Sequence, residues 1–283
     1  MTARTRVFES RMALVERVEW RGPRRVSAED YSPEFQIAFP YRGTFVWHVE
    51  HDAVLGDPNQ VLFIRGGEAY RIANHPPDGF AEVIITPAQS SLRQLAETLG
   101  FDLETHPLFG ARSRRATPDL QCRCASFVQR AAGASRDEFR ADEELVGLMR
   151  AALAMEPPRR VAVANTRRLI RRTKEYLDAH FTERVLLADV AAAVGASPAY
   201  LTDVFRRFEG ISLHRYLTQL RLARSLIELP DAPDLTMLAL EVAFSSHSHF
   251  TFAFRRAFGC TPSEYRRRTG RRAESPEVTR ISA

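Results

Sequence analysis

Two short stretches near the carboxyl end place polar and arginine side chains at helical spacing, opposite an apolar stripe. The outward sides carry Ala199, Thr202, Asp203, Arg206 and Arg207 in the first stretch, and His247, Ser248, Thr251, Phe252 and Arg255 in the second. Arginine forms paired hydrogen bonds with phosphates and guanine edges, hydroxyls reach base edges, and an aromatic ring contacts the thymine methyl group. These residue types predict contact with double-stranded DNA, and we assign no catalytic residue.

Each stretch follows the signals of a helix-turn-helix unit. In the first unit, residues 186–210, Gly195 supplies the positive φ of the turn, Ser197 caps the second helix and Pro198 takes its first position. In the second unit, residues 234–259, Ser246 is the expected cap. The second helix of such a unit enters the major groove by its amino-terminal part. Two units in one chain, each ending in an arginine pair and a glycine, indicate a DNA-binding domain.

A helix predicted over residues 212–229 connects the two units. About 18 residues span roughly 27 Å at 1.5 Å each. This length suits two reading helices held about one DNA turn, near 34 Å, apart. Another helix is predicted over residues 167–180, and Thr261 to Glu264 have the pattern of a capping box that opens a last helix.

These elements carry the motifs of a known family. Residues 165–268 resemble the DNA-binding domain of AraC/XylS-type transcription regulators at Ala191, Gly195, Ser197, Tyr200, Leu201, Phe205, Arg221, Leu222, Leu238, Ala239, Phe244, Phe250, Phe254, Gly259, Pro262, Tyr265 and Arg266. The resemblance implies a bacterial-type regulator, usually an activator that contacts RNA polymerase. It implies that the base-contacting residues are Ala199, Thr202, Asp203 and Arg206 in the first stretch and His247, Ser248, Thr251 and Phe252 in the second.

Four positions depart from the family pattern. Asp203 and Phe252 replace common basic residues, and because the Asp203 carboxylate repels phosphates, the first unit is expected to read few bases. Ala243 stands where the turn of the second unit has glycine, and a positive φ there would be strained. Leu186 stands where a serine or threonine usually caps the first short helix, which is therefore expected to begin less firmly.

The amino-terminal half has a different pattern. Five short apolar runs between residues 31 and 86, separated by Gly and Pro turns, predict a small antiparallel β-barrel. By domain order it resembles the cupin-like sensor barrel found ahead of such DNA-binding domains. The predicted fold class is α+β with two domains: a barrel with helices, then an all-α tandem helix-turn-helix domain with a central linker helix. Residues 1–30 are predicted to form a mobile or loosely helical arm.

The predicted barrel offers two kinds of site. An effector pocket would be lined by six aromatic residues, which could equally be plain core: Phe35, Phe39, Phe45, Trp47, Phe63 and Tyr70. The available metal ligands are His48, His51 and His75, with Glu50 and Glu68 near them in sequence. His48 and His51 would face opposite sides of a strand, and the metal-binding cupin spacing is absent. We therefore predict no metal and no cofactor.

Helical stripes follow over residues 89–154. These helices either pair with a second copy to give a homodimer or close the open face of the barrel. Cys122 and Cys124 are too few for a tetrahedral zinc site, and three cysteines in all fit a reducing cytoplasm. The predicted domains are the arm, a sensor unit over 31–155, a linker over 156–165, a DNA-binding domain over 166–268 and a disordered tail over 269–283.

Composition bounds the class of protein. Hydrophobic residues make up 45% of the 283 and charged ones 27%, which is ordinary for a globular protein. No apolar run approaches the roughly 20 residues that span a bilayer, and the first residues lack the apolar segment of an export signal, so we expect a cytoplasmic protein without a membrane partner. Residues 157–283 hold 21 Arg and Lys against 13 Asp and Glu, whereas residues 1–156 hold 19 against 22. The positive half is the half with the helix-turn-helix units, which favours a nucleic-acid partner.

Two functions from different classes compete. The leading hypothesis is a sequence-specific DNA-binding regulator that binds a promoter or operator and whose barrel senses a small-molecule effector. The second is a cupin-type metalloenzyme, an oxygenase or isomerase, fused to a DNA-binding domain, which requires a facial set of His and carboxylate ligands. A fused DNA-repair methyltransferase would need a nucleophilic Cys and a zinc Cys cluster, which three scattered cysteines do not supply.

Overall fold

The computed structural model describes residues 2–21, 26–50, 52–73, 76, 79–100, 112–131, 137–155 and 164–269. A β-rich amino-terminal region is followed by a helical carboxyl-terminal one, as the sequence predicted. The strands are β1 (Thr2–Glu9), β2 (Ala13–Trp20), β3 (Asp30–Tyr31), β4 (Gln36–Arg42), β5 (Phe45–Val49), β6 (Asp52–Gly56), β7 (Gln60–Ile64), β8 (Ala69–Ala73), β9 (Phe80–Pro87) and β10 (Ser113–Arg115). Strands β4, β5, β7, β8 and β9 correspond to the five predicted apolar runs.

The strands form two antiparallel sheets that face each other. The larger has the order β1-β2-β9-β4-β7-β10 and the smaller has the order β3-β8-β5-β6. Within the described part of the chain these sheets are open and are not hydrogen-bonded into one closed barrel. The apolar core between them draws on both sheets, with Phe45 and Trp47 from the smaller and Phe80 and Ile84 from the larger.

The prediction of a loosely helical arm over residues 1–30 is wrong. Strands β1 and β2 form a hairpin, and β2 pairs with β9 across its whole length, from Ala13 opposite Pro87 to Trp20 opposite Phe80. Val15 is buried on one face of the larger sheet and Val18 on the other, whereas Glu16 and Arg17 between them are partly buried, and Arg4 lies 3.2 Å from Glu16 across the hairpin. The charged residues of both strands diluted the apolar signal on which strand prediction depends.

Three helices cover the other face of the larger sheet: α1 (Gln89–Leu99), α2 (Pro118–Ala131) and α3 (Glu138–Leu153). Side chains alternate along β9, so Val83 and Ile85 pack against these helices while Phe80 and Ile84 face the smaller sheet. Leu145, Leu148 and Met149 of α3 are fully buried in this second core. Phe139, also on α3, lies outside this core and is 82% exposed.

The carboxyl-terminal region consists of α4 (Ala164–Ala179), α5 (Leu187–Val194), α6 (Pro198–Glu209), α7 (Leu213–Glu228), α8 (Leu235–Glu241), α9 (His247–Phe258) and α10 (Pro262–Thr269). One core joins α4, α5 and α6 to the first half of α7, around Leu201 and Phe205. Another joins α8, α9 and α10 to the second half of α7, around Phe250 and Phe254. Among the described residues, no helix has the length and apolar character to cross a membrane.

The two regions contact each other through buried groups. Ala125 of α2 belongs to the same core as Leu222 and Leu226 of α7. Lys174 of α4 lies 3.1 Å from Asp57, in the β6–β7 turn, and 2.8 Å from Glu209 at the end of α6. All three side chains are at most 4% exposed. We call these three residues the interdomain ion cluster.

Candidate nucleic-acid interface and ligand cavity

The first helix-turn-helix unit, α5 and α6, has the backbone that its sequence predicted. Gly195 ends α5 with φ 72°, in the left-handed region that glycine adopts freely. The Ser197 hydroxyl accepts a hydrogen bond from the Tyr200 amide, and Pro198 is the first residue of α6. Leu186 precedes α5 without a side-chain cap, as its departure from the family pattern predicted. The turn therefore orients α6 firmly, while α5 begins without a side-chain cap.

The second unit, α8 and α9, reaches the same shape with one strained residue. Ser246 caps α9 by accepting from the His249 amide, and Asp234 caps α8 by accepting from the Thr236 amide. Ala243, in the turn, has φ 58°, which is the strain expected where alanine replaces glycine. The Phe244 ring packs against His249 and Phe250 beside it, so the surrounding core holds the turn in this conformation.

On α6, all five predicted contact residues are exposed on the side opposite the buried Leu201 and Phe205. The Arg207 guanidinium binds the Asp203 carboxylate at two points, 3.0 Å from Nε to Oδ1 and 2.8 Å from Nη2 to Oδ2. The Thr202 hydroxyl donates to backbone carbonyls of its own helix, 2.9 Å from Ala199. Asp203 therefore occupies Arg207 on the face that would meet phosphates.

On α9, the predicted contact residues are less uniformly exposed. Ser248, Phe252 and Arg255 are exposed, Phe252 by 67%. His247 and Thr251 are partly buried, and the Thr251 hydroxyl lies 3.4 Å from the His247 ring nitrogen. An exposed phenylalanine at this place costs solvation, so it favours a partner with an apolar group such as a thymine methyl.

The connecting helix α7 is buried on nearly every side, since both helix-turn-helix units and α2 pack on it. Arg221, one of the family-motif residues, lies on this helix. Its guanidinium donates to the carbonyls of Phe181, 2.8 Å, and Glu183, 2.7 Å, which lie in the loop between α4 and α5. Arg221 thus fixes the first half on the linker helix. Arg266 makes the corresponding bond in the second half, 2.9 Å to the Ala232 carbonyl.

The structure divides the six aromatic residues predicted to line an effector pocket. Phe35, Phe39 and Phe63 pack on the helix-covered face of the larger sheet. The other three, Phe45, Trp47 and Tyr70, lie between the sheets and line one cavity of about 370 Å³. The division follows the two sheets, because β5 and β8 belong to the smaller sheet and turn their aromatic residues toward the larger one, whereas Phe39 of β4 and Phe63 of β7 lie on the face of the larger sheet that points away from the smaller.

The carboxylates considered as metal ligands are bound by an arginine. Arg112, preceding β10, donates to Glu68, to Glu50 at 3.3 Å and to Asp52 at 3.3 Å. His48 is exposed on β5, and His51 and His75 lie outside the described residues. Within the described part of the chain, no three His, Cys, Asp or Glu residues are grouped as a metal would require.

The two cysteines of α2 lie in apolar surroundings. Burial raises the pKa of the Cys122 thiol to about 11 and that of Cys124 to about 12. A thiol with a raised pKa is a poor nucleophile near neutral pH. Both residues therefore behave as packing groups of the helix.

The sequence patterns did not predict the roles of Glu82 and of the interdomain ion cluster, which both matter to these sites. Glu82 is a single charge within the otherwise apolar strand β9, which is a signal that could have been read as an inward-facing carboxylate. The interdomain ion cluster joins Asp57, Lys174 and Glu209, residues more than 30 positions apart along the chain. Only their tertiary contact reveals it.

Comparison with known proteins identifies the carboxyl-terminal region. A family model described as a helix-turn-helix domain matches residues 190–268. The chain is similar to the regulatory protein PocR of Salmonella typhimurium, 29% identical over 111 residues, which are 38% of this chain and 36% of PocR. It is also similar to the HTH-type transcriptional regulator ExsA of Pseudomonas aeruginosa, 30% identical over 101 residues, which are 35% of this chain and 36% of ExsA.

A solved structure matches the same region. It is the C-terminal domain of AraT, a response regulator from Geobacillus stearothermophilus, with 26% identity and a TM-score of 0.36, covering 40% of this chain and 96% of that domain. The chain spans little more than a third of the length of PocR and ExsA.

Proposed function

We propose that this chain, whose carboxyl-terminal region is an AraC-type helix-turn-helix domain, is a sequence-specific DNA-binding transcription regulator governed by a small molecule. Two capped helices, α6 and α9, expose polar and arginine side chains, and one buried helix of 16 residues connects them. This arrangement carries the proposal. At about 1.5 Å per residue, α7 spans roughly 24 Å, which suits two helices entering successive major grooves on one side of a duplex.

Binding energy in this proposal comes mainly from arginine contacts with phosphates, and a few side chains select the bases. Arg206 and Arg255 lie at the ends of the exposed faces, while Ala199, Thr202, Ser248 and Phe252 meet base edges. Because Asp203 engages Arg207, the first unit contributes fewer charged contacts than an arginine pair would supply. Specificity would then rest more on the second unit.

The amino-terminal region supplies the sensing half of the proposal. The cavity between the sheets is lined largely by aromatic and aliphatic side chains, the kind of surface that small ligands occupy. The β6–β7 turn of the same region contacts α4 and α6 through the interdomain ion cluster. A ligand that shifts the sheets would therefore act on the reading domain through a direct contact.

Several finer features belong to the proposal alone. We extend the predicted sensor unit, 31–155, to include the β1–β2 hairpin, and we keep the DNA-binding domain over 166–268. A cupin-like description of the facing sheets, pairing with a second copy, and activation by contact with RNA polymerase are expectations from the family resemblance. The metalloenzyme alternative has no support, since Arg112 binds the carboxylates that a metal would need.

The proposal is tested by selecting bound sequences from random duplex DNA with the full-length chain, then measuring affinity for the selected site by fluorescence anisotropy. Arg206→Ala should weaken specific binding by about tenfold or more, because one lost bidentate contact costs about 1–3 kcal/mol. Thr251→Ala should relax base preference at one position.

Arg140→Ala is the matched control, since this arginine is exposed on α3, where its Nε pairs with Glu144 at 3.2 Å. Its affinity for the selected site should equal that of the unmodified chain. If no sequence is enriched, the function is wrong. If both α6 and α9 variants bind normally, the reading face is wrong.

A further inference from the structure

Aromatic side chains form much of the wall of the cavity between the two sheets. Its volume is about 370 Å³, within the range of small-molecule sites. Trp20 and Phe80 stack with ring centres 6.0 Å apart, and Phe45 lies 4.2 Å from Phe80. Trp47 meets Tyr70 edge-on at 6.1 Å on the opposite side. Ring faces of this kind attract both aromatic ligands and cations.

One carboxylate interrupts these walls. Glu82 of β9 stands between Phe80 and Ile84 on the row that faces the smaller sheet, and it lines the cavity. Its side chain is 5% exposed, and its Oε2 atom has no hydrogen-bond partner among the described residues. A buried carboxylate oxygen without a donor costs free energy, which a ligand with N–H groups would recover.

A second polar group in the same cavity also lacks a partner. The indole Nε1 of Trp47 is buried without an acceptor in the part of the chain that the structure describes. The lining thus includes one carboxylate acceptor, at Glu82, and one buried neutral donor, at Trp47. A ligand that satisfies both carries a hydrogen-bond donor at one end and an acceptor elsewhere on an apolar frame.

The remaining charged groups that line the cavity are paired. Arg4 lies 3.2 Å from Glu16, Glu29 lies 3.0 Å from Arg71, and Asp30 accepts from the Tyr70 hydroxyl at 3.3 Å. Counting the lining charges alone, three are acidic and one is basic. The electrostatic field of the site therefore favours a cation over an anion.

We propose that the cavity binds a small aromatic amine in its protonated form, with the ammonium group donating to Glu82 and the ring held between the aromatic walls. This inference rests on the proposed sensing function and names the class of effector. A carboxylate would meet Glu82 with like charge, and a neutral alcohol would recover only one ordinary hydrogen bond.

The test is calorimetric titration of the full-length chain at pH 8 with three compounds on one ring system. These are 5-methoxytryptamine, with an ammonium group; 5-methoxytryptophol, with a hydroxyl; and 5-methoxyindole-3-acetate, with a carboxylate. The methoxy oxygen gives each compound one hydrogen-bond acceptor away from the group that varies. The amine should bind one to one and about 30-fold more tightly than the alcohol, since a hydrogen bond to a charged group contributes about 2 kcal/mol.

Glu82→Gln should remove that preference and leave the alcohol's affinity within about twofold, because the amide keeps the shape of the side chain. Glu19→Gln is the control. Glu19 lies opposite Ala81 in the same sheet, pairs with Arg42 at 3.3 Å, and does not line the cavity. Thermal unfolding of each variant establishes that it folds.

Three outcomes overturn the inference: no binding of the amine up to about 1 mM, equal or tighter binding of the acetate, or an unchanged amine preference in Glu82→Gln. DNA binding by the same samples separates the two proposals. A chain that selects a DNA site but fails the titration keeps the regulator function and loses the ligand class. A chain that binds the amine but does not bind DNA keeps the ligand class and loses the regulator function.

Discussion

Asp203 and Arg207 show how one residue changes what a reading helix offers. The carboxylate takes both Nε and Nη2 of the arginine on an exposed face. Exposed pairs of this kind contribute little to stability, so the effect of Asp203 lies in binding. It withholds a positive charge from phosphates and adds a negative one beside them.

Asp203→Asn should therefore strengthen binding to nonspecific duplex DNA. In a plot of the logarithm of affinity against the logarithm of salt concentration, the slope should become more negative by about one, because Arg207 gains a phosphate contact. Glu97→Gln, which removes an exposed charge on α1, should leave the slope unchanged. Anisotropy titrations across a salt series measure both, and equal slopes in all three proteins would place Arg207 away from the DNA backbone.

Glu82 predicts a pH dependence of stability. Burial raises its pKa from the ordinary 4.5 to about 7, and the Arg4 charge lowers it in part. The folded chain then binds more protons than the unfolded chain between these values. Its free energy of unfolding should fall as pH rises from 4.5 through 7, by on the order of 3 kcal/mol for this group.

Urea unfolding at pH 5.5 and pH 8 tests this, with Glu82→Gln as the reference. The free energy of unfolding of the glutamine variant should exceed that of the unmodified chain at pH 8, and this difference should be smaller at pH 5.5. Glu29, Asp30 and Tyr70 line the same cavity and are retained in both proteins, so their titration cancels. A difference that is constant with pH would contradict the raised pKa.

At the scale of elements, the two helix-turn-helix units differ in how their turns are made. Gly195 and Ala243 have similar positive φ values, 72° and 58°. Alanine is strained there by about 1 kcal/mol or more. The second unit keeps its turn because the helices on both sides bury Leu238, Phe250 and Phe254 against α7.

Ala243→Gly should raise the free energy of unfolding by up to about 1 kcal/mol, since the relief of strain exceeds the entropy that glycine adds to the unfolded chain. Ala192→Gly, an exposed position within α5, should lower it by about the same amount. Chemical denaturation measures the change in the free energy of unfolding, which should be positive for Ala243→Gly and negative for Ala192→Gly. Destabilisation by both substitutions would show that the turn of the second unit is not strained.

At the scale of the whole molecule, the interdomain ion cluster connects the sensor region to the reading helices. Burial would lower the pKa of Lys174, but the carboxylates of Asp57 and Glu209 outweigh burial and raise it. The ammonium also lies 5.2 Å from the Tyr216 ring, and the Asn59 amide donates to the Tyr216 carbonyl at 3.3 Å. The β6–β7 turn is thus fixed on α4 and α7.

Asp57→Asn should lower the free energy of unfolding by on the order of 3 kcal/mol, because a buried ammonium loses one of its two carboxylates. Asp119→Asn, in an exposed pair with Arg123 at 3.7 Å, should change it little. Urea unfolding followed by tryptophan fluorescence measures both, since Trp20 and Trp47 report on the sheets. A small effect of Asp57→Asn would mean that the regions are held by apolar contacts alone.

The sequence by itself determined what depends on neighbours along the chain. Caps at Ser197 and Ser246, the glycine of the first turn, the strain at Ala243 and the apolar stripes of the helices all follow from local chemistry, and each was predicted. Strands with mixed faces were predicted less well. The charged residues of β1 and β2 hid a hairpin that buries Val15 on one face of the sheet and Val18 on the other.

Only the tertiary structure decided which predicted residues share a site. It separated Phe39 and Phe63 from Trp47, although all lie in apolar strands, because Trp47 belongs to the smaller sheet and the other two lie on the helix-covered face of the larger sheet. It brought Glu82 into an aromatic cavity and joined Asp57 to Lys174. Such contacts depend on how sheets and helices stack in three dimensions, and spacing along the chain does not encode that stacking.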